Sequence, residues 1–271
     1  MSRGQYRSAV EAVRGRIRSG DVYQVTVCRV LHAPLPVAGG EPDARALSAL
    51  LDAGNPAPHS GGVHIPRDSG LPPVWVVTAS PELYLRWADG RLASGPIKGT
   101  ARTAGGLTAK DEAENIMITD MVRNDLQQVC EPGTVEVTAL LDVQEHPGLV
   151  HLVSTVEGVL RRDADWAAIL AATFPAASVS GTPQSTALQI IGELEPVSRG
   201  PYCGAVGWID ADSGRAELAV GIRTFWWTED GGGRLHFGTG AGITWGSDPE
   251  QEWQETELKA HRLVTLASGA G

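Results

Sequence analysis

Apolar positions first fall into register at residues 7–18, where Val10, Val13 and Ile17 recur at helical spacing until Gly20 stops the run. Asp21 to Leu31 alternates and is β-branched, which predicts a strand through Val22, Gln24, Thr26 and Cys28. A short helix is expected over Ala44–Leu51. Gly54 to Pro73, rich in Gly, Pro, Ser and His, predicts a long mobile loop. Val74–Ala79 and Leu83–Trp87 read as strands.

Further on, Thr108 and Asp111 have the spacing of a capping box, and Ala113, Ile116, Met117 and Met121 extend a helix to Leu126. Strands are expected at Thr134–Thr138 and Leu149–Leu160, then a helix at Ala164–Phe174 and a small-residue turn from Pro175 to Gly181. Thr182-Pro183 reads as an N-cap with proline at the first helical position, opening a helix to about Leu194. Strands recur at Gly204–Asp210, Glu217–Trp227 and Leu235–Gly238. A last helix runs from Ser247-Asp248-Pro249-Glu250 to about Leu266. Runs of strands separated by single helices predict an α+β fold with largely antiparallel sheets.

Composition narrows the class. A length of 271 residues suits one domain over 1–271, and 42% hydrophobic with 20% charged residues is ordinary for a soluble enzyme. A net charge of −10 without a basic stripe excludes a nucleic-acid binder, and an anionic substrate would need a local cation. Cys28, Cys130 and Cys203 are odd in number and form no CxxC pair, so a reducing cytoplasm is expected, with neither a disulfide framework nor a zinc site. No membrane-length apolar run or signal peptide is read from the chain.

Four stretches offer chemistry. Lys98 stands in Pro96-Ile97-Lys98-Gly99-Thr100, read as a tight turn; facing a pocket, its amine could lose a proton and attack carbon. Asp111 with Glu114, and Glu252 with Glu255, each lie three apart on one helix face, and carboxylates converging from two helices would suit magnesium. Each pair could equally serve its helix as a cap or dipole partner. Gly238 to Gly242 reads as a loop whose backbone N–H groups could hold an anion. Arg223, on an otherwise apolar strand, either faces solvent or grips a carboxylate.

These stretches occur in the order found in one family. The chain resembles the chorismate-utilising enzymes through Gly20-Asp21-Val22-Tyr23-Gln24-Val25, Ser80-Pro81-Glu82-Leu83 and Pro96 to Thr100. The likeness continues through Asp111-Glu112-Ala113-Glu114-Asn115, Arg123-Asn124-Asp125 and His151-Leu152-Val153-Ser154. It ends with Glu193 to Pro196, Arg199 to Gly204, Ile222-Arg223-Thr224, Gly240-Ala241-Gly242, and Glu252 through Lys259-Ala260.

The resemblance implies a chorismate-binding fold and a set of roles. Glu114 and Glu255 match residues that bind magnesium directly, and Asp111 and Glu252 match those that reach it through water. Tyr202 and Arg223 match residues that hold the lactyl carboxylate. Gly240, Ala241, Gly242 and Lys259 match the ring-carboxylate side, and Gly99, Thr100, His151 and Gly181 match further pocket positions. Glu82 matches the acid that protonates the departing C4 hydroxyl.

Two positions divide the family. Members that use water have a lysine base where this chain has Gln24, and anthranilate synthases have alanine where it has Lys98. Lys98 with Gln24 resembles aminodeoxychorismate synthase component I, which implies 4-amino-4-deoxychorismate as product, a Lys98 adduct, and ammonia from a separate glutamine amidotransferase subunit. The alternatives are amination at C2, giving anthranilate or 2-amino-2-deoxyisochorismate, and a non-catalytic chorismate-binding partner subunit. The chain departs from the family pattern at Gln184 and Thr103, where lysine and arginine are usual, and the resemblance implies a protein lacking the typical N-terminal lobe.

Overall fold

The computed structural model describes residues 1–36, 40–146 and 149–269, without the side chains of 146 and 149. In chain order the elements are α1 (Arg3–Ser19), β1 (Gln24–Pro34), α2 (Ala44–Gly54), β2 (His59–Ile65), β3 (Val74–Ser80), β4 (Leu83–Ala88), β5 (Arg91–Gly95) and β6 (Ile97–Ala101). They continue with α3 (Ala109–Gln127), β7 (Glu136–His146), β8 (Leu149–Val159), α4 (Trp166–Thr173), β9 (Gly181–Thr182) and α5 (Gln184–Leu194). The last are β10 (Ala205–Asp210), β11 (Arg215–Val220), β12 (Thr224–Thr228), β13 (Arg234–Ile243) and α6 (Pro249–Ser268). The chain forms two compact units, one of residues 1–81, 179–206 and 221–271, the other of 82–178 and 207–220. This is an α+β architecture in which the registers from β1 with β13 to β7 with β8 are antiparallel among the described residues.

The first unit is built on a sheet of order β2-β3-β12-β13-β1-β9. Val25 and Val27 of β1 and Ala241 and Ile243 of β13 form one apolar face, covered by Tyr6, Val10 and Val13 of α1 and Ala187 and Ile190 of α5. Each such side chain contributes roughly 1.5–3 kcal/mol when removed from water. A second cluster joins Trp75, Trp227, Phe225 and Phe237 to Leu47 and Leu51 of α2 and Leu263 of α6. Residues 54–73 contain a strand: β2 pairs with β3 over seven residues, His59↔Ser80 to Ile65↔Val74. Glycine hid it from the pattern, since a Cβ on Gly62 would stand 2.6 Å from the Val76 carbonyl oxygen.

The second unit is built on a sheet of order β10-β11-β4-β5-β8-β6, with β7 also paired to β8. Leu83 to Leu92 is a hairpin turned at Asp89-Gly90, both at positive φ (52° and 74°), as a two-residue turn matching strand twist requires. Lys98 lies in a strand, and its neighbourhood bulges: Ile97 pairs with Val153 and Thr100 with His151, so two residues oppose one. Gly99, at φ 86°, takes the strained position. The helix α3 begins at a Thr108–Asp111 capping box as its spacing predicts.

Three further boundaries differ from the pattern. Glu217–Trp227 is two strands, because Gly221 to Arg223 break the ladder and Arg223 adopts φ 50°. Gly238 to Gly242 are strand residues of β13, paired from Val30↔Gly238 to Thr26↔Gly242. Thr182 pairs with Gln24 in β9, which leaves Pro183 as the N-cap of α5.

A buried polar anchor fixes α3 on β8. Asn115 is fully buried; its Nδ2 donates to the Leu152 carbonyl at 2.9 Å, and its Oδ1 accepts from the hydroxyls of Ser154 and Thr119. Asn115→Ala is expected to destabilise the fold by about 2–4 kcal/mol, since it leaves several buried polar groups unpaired. Urea unfolding of parent and variant, read by circular dichroism, checks this.

Candidate active site

In the first unit, β1 and β13 present a polar face opposite the Val25–Val27 side. Gln24, Thr26 and Cys28 alternate onto it, and glycines rather than side chains stand across from this part of β1, Gly242 from Thr26, Gly240 from Cys28 and Gly238 from Val30. The glycines are required by packing: a Cβ at Gly238 would lie 2.0 Å from the Tyr202 ring, and one at Gly240 would lie 2.7 Å from the Cys28 Sγ. At Gly181, φ 150°, a Cβ would lie 2.3 Å from the Gln24 carbonyl oxygen. The register of β12 with β13 ends at Phe225↔Phe237, so residues 238–242 extend past that neighbour. Lys259 of α6 donates to the Gly240 carbonyl at 3.1 Å and pairs with Glu255 at 2.6 Å.

Tyr202 and Arg223 are held through adjacent backbone. Cys203 N–H donates to the Gly221 carbonyl at 2.8 Å, and Gly221 N–H donates to the Gly204 carbonyl at 2.7 Å. Burial raises the Tyr202 phenol far above its ordinary range, so it is a neutral hydrogen-bonding group. Burial, and then the charge of Arg262, lower the Arg223 pKa. No carboxylate pairs with Arg223 among the described residues. A desolvated guanidinium in that state is suited to an anion with two oxygens.

Gln24 is fully buried, and neither its amide nitrogen nor its amide oxygen has a hydrogen-bond partner. The Thr26 hydroxyl beside it on the same face is in the same condition. Unpaired buried polar atoms are costly enough to mark places where a ligand or water completes the bonding.

The second unit groups other candidates. The Lys98 Nζ donates to the Ser178 carbonyl at 3.0 Å. Thr100 Oγ1 and His151 Nδ1 are 2.8 Å apart, a bond set by the Thr100↔His151 pairing. Gly99 packs on α3, where a Cβ would come within 2.8 Å of the Asp111 Cβ. Glu82 is 4% exposed, and its backbone carbonyl accepts from Val220 N–H at 3.0 Å.

The four candidate metal carboxylates divide evenly, Asp111 and Glu114 on α3 of the second unit and Glu252 and Glu255 on α6 of the first. Asp111 accepts two bonds from Thr108 through one oxygen, which leaves the other oxygen for a further partner. Glu114 lies 3.6 Å from Lys110, and Glu252 is 5% exposed. Within neither unit do three His, Cys, Asp or Glu side chains cluster as metal ligands among the described residues. The donor set is hard carboxylate oxygen throughout, which fits magnesium, a cation that takes only one or two carboxylates and retains water.

Sequence reasoning assigned no role to three features. Glu195 and Arg199 form a partly buried pair at 2.6 Å, and the arginine also donates to the carbonyls of Val179 and Thr26. The Sγ atoms of Cys28 and Cys203 lie 4.0 Å apart, although both cysteines are free. Asp125 lines a cavity with Glu82, and burial pushes its carboxyl up to about 7. The first and third fall in stretches already singled out, but a motif does not say which side chains meet.

The Asp125 shift fixes the sign of a stability effect. Between its ordinary 3.8 and about 7 the folded state holds a proton that the unfolded chain has released. Stability from this group therefore falls as pH rises through that window, and the cost is complete above it. Asp125→Asn is expected to be near neutral relative to the parent at pH 4. By pH 8 it should gain about 1–2 kcal/mol, a figure discounted for the solvent reaching a partly exposed group. Urea titrations at the two pH values measure the difference.

The described residues contain no helix long and apolar enough to cross a membrane. The chorismate binding enzyme family matches residues 1–265. The chain is 35% identical to anthranilate synthase component 1 of Saccharolobus solfataricus, over all of this chain and 63% of that protein. It is 36% identical to the aminodeoxychorismate synthase of Streptomyces pristinaespiralis, over 97% of this chain and 36% of that one. The crystal structure of anthranilate synthase component I from Streptococcus pneumoniae superposes with a TM-score of 0.83 at 30% identity, covering 97% of this chain and 58% of that one. The chain thus spans less than two thirds of the length of these relatives. Matched over nearly its whole length, the protein belongs to the chorismate binding enzyme family.

Proposed function

We propose that this chain aminates chorismate at C4 as an aminodeoxychorismate synthase component I. The observation supporting it most directly is Lys98, placed by a bulge and hydrogen-bonded to the Ser178 carbonyl, with Glu82 and Ser178 lining one cavity. In this reading the Lys98 amine adds at C2 while the C4 hydroxyl leaves with a proton from Glu82. Ammonia then attacks C4, the C2–nitrogen bond breaks, and Lys98 is released. The net change is chorismate plus ammonia to 4-amino-4-deoxychorismate plus water.

Gln24 supports ammonia as the nucleophile, because a carboxamide cannot take a proton from water as a lysine base would. Arg223 and Tyr202 would hold the lactyl carboxylate, and Gly240 to Gly242 with Lys259 the ring carboxylate. Gly99, Thr100, His151 and Gly181 would complete the pocket. Glu114 and Glu255, with Asp111 and Glu252 acting through water, would hold magnesium. That ion would supply positive charge to the ring carboxylate, which helps a chain of net charge −10 accept a dianion. Ammonia would come from a separate glutamine amidotransferase subunit, as the name component 1 of the Saccharolobus relative suggests. The near-equal identity to an anthranilate synthase favours amination at C2 as the second reading.

Products formed from chorismate, magnesium and ammonium chloride, resolved by liquid chromatography and mass spectrometry, decide between them. The expected result is 4-amino-4-deoxychorismate, lost by at least about a hundredfold in Lys98→Ala, as removal of a covalent nucleophile predicts. Anthranilate or 2-amino-2-deoxyisochorismate would establish the second reading. Chorismate binding without turnover, in the presence of an amidotransferase subunit, would mark a binding subunit.

A further inference from the structure

The second unit encloses a cavity of about 20 Å³, room for about one water molecule. Much of its wall is apolar, Val122, Leu126 and Val220 included, but Glu82, Asp125 and Ser178 also line it. The Ser178 hydroxyl is buried and has no hydrogen-bond partner, while its residue's carbonyl is taken by Lys98. A buried hydroxyl in that state is the usual mark of a bound water.

Asp125 reaches this cavity from the last turn of α3, where the helix dipole disfavours negative charge. Two carboxyls around one water-sized space do not both ionise cheaply, so one proton between them is the favoured state near neutrality. Burial, with no neighbouring cation offsetting it, holds Asp125 at about 7. The two carboxyls differ in access: Asp125 is half-buried, whereas Glu82 is buried. A proton from solvent can therefore enter at Asp125.

The geometry points to Asp125 as a positioning residue for the Glu82 proton, reloading Glu82 through one water held in this cavity. This rests on the reading of Glu82 as the acid that protonates the leaving hydroxyl. In that step the Glu82 O–H bond breaks and the C4 hydroxyl departs as water. The Glu82 carboxylate then takes a proton from the cavity water, the water takes the Asp125 proton, and Asp125 regains one from solvent. Protons balance, and no electron is transferred.

The other titratable group lining the cavity is Tyr84, pushed up to about 12 by burial, and it stays protonated throughout. Its hydroxyl donates to Thr173 Oγ1 at 2.7 Å, because the Thr173 proton is already given to the Ile169 carbonyl at 2.8 Å. Lys98 stands on the carbonyl side of Ser178. Tyr84 thus holds its proton and leaves the exchange to the two carboxyls.

The test is a carboxyl-carbon NMR titration of the full chain with labelled Asp and Glu, which needs no turnover. Asp125 is expected to titrate near pH 7, and the Glu82 carbon to register the same transition. In Asp125→Asn the Glu82 midpoint should fall, since the like charge is gone. A Glu82 curve indifferent to Asp125 in the parent and unchanged in the variant would overturn the coupling.

Kinetics separate this inference from the reading beneath it. With ammonium chloride, Asp125→Asn should lower kcat for chorismate consumption by about five- to tenfold at and just below pH 7 and leave KM within about twofold, and Asp125→Glu should restore much of it. Glu82→Gln should abolish turnover. If Glu82→Gln stays active, the acid assignment fails and the relay with it. If Glu82→Gln is dead while Asp125→Asn keeps the parent's kcat and pH profile, the relay alone fails.

Discussion

The Glu195–Arg199 pair is the interaction on which the first unit's polar face depends. Glu195 accepts from Arg199 and from the Cys28 backbone N–H, while Arg199 spans to the carbonyls of Val179 and Thr26. One ion pair thus fixes β1 and the segment that begins the Tyr202 turn. Such a pair gains little over an apolar replacement, but removing one partner strands the other charge in partly desolvated surroundings, at a cost below the roughly 3–5 kcal/mol of a fully buried pair. Its consequence is specificity of arrangement. With β1 and the Tyr202 turn pinned, the ring of Tyr202 lies on Gly238, and no larger residue at 238 would fit that position.

The second unit solves the same problem with a strand instead of an ion pair. β8 pairs with β7 along one edge and with β5 and then β6 along the other, so three strands are registered against a single template. The Pro96 carbonyl accepts from Ser154 N–H where β5 gives way to β6. Proline supplies no donor there, and the two-for-one bulge follows at once, turning Lys98 to the Ser178 carbonyl. His151, Leu152 and Ser154 of β8 bond Thr100 and Asn115. The same strand therefore sets the position of the lysine strand and of α3.

Much of this was legible in the sequence where a local rule decides the structure. The α3 start was legible because Thr108 and Asp111 satisfy each other within four residues. The strand at 59–65 was not, because its glycines answer to a neighbouring carbonyl that no local pattern reveals. The same blindness made Gly238 to Gly242 read as an anion loop, when those positions are strand residues cleared for Tyr202 and Cys28. Lys98 was read as lying in a turn, since a bulge needs the partner strand to define it. Asp125 was quoted inside Arg123-Asn124-Asp125 without a role, for its cavity is lined by residues from 82 to 220.

The polar economy of the two units suggests how such a chain separates binding from chemistry. In the first unit Gln24 and Thr26 are unsatisfied while Arg223 is desolvated, so the cost of burying them is recovered when a ligand or water supplies the missing bonds. That arrangement suits a binding surface. In the second unit Lys98, Thr100, His151 and Asn115 already have partners, and what remains open is a water-sized cavity between two carboxyls. Groups that are already oriented lose little freedom when a reaction begins, which is the condition for positioned acid and nucleophile chemistry. Unmet polar groups on the sheet face of one unit and side chains already oriented by partners in the other are thus complementary uses of buried polarity.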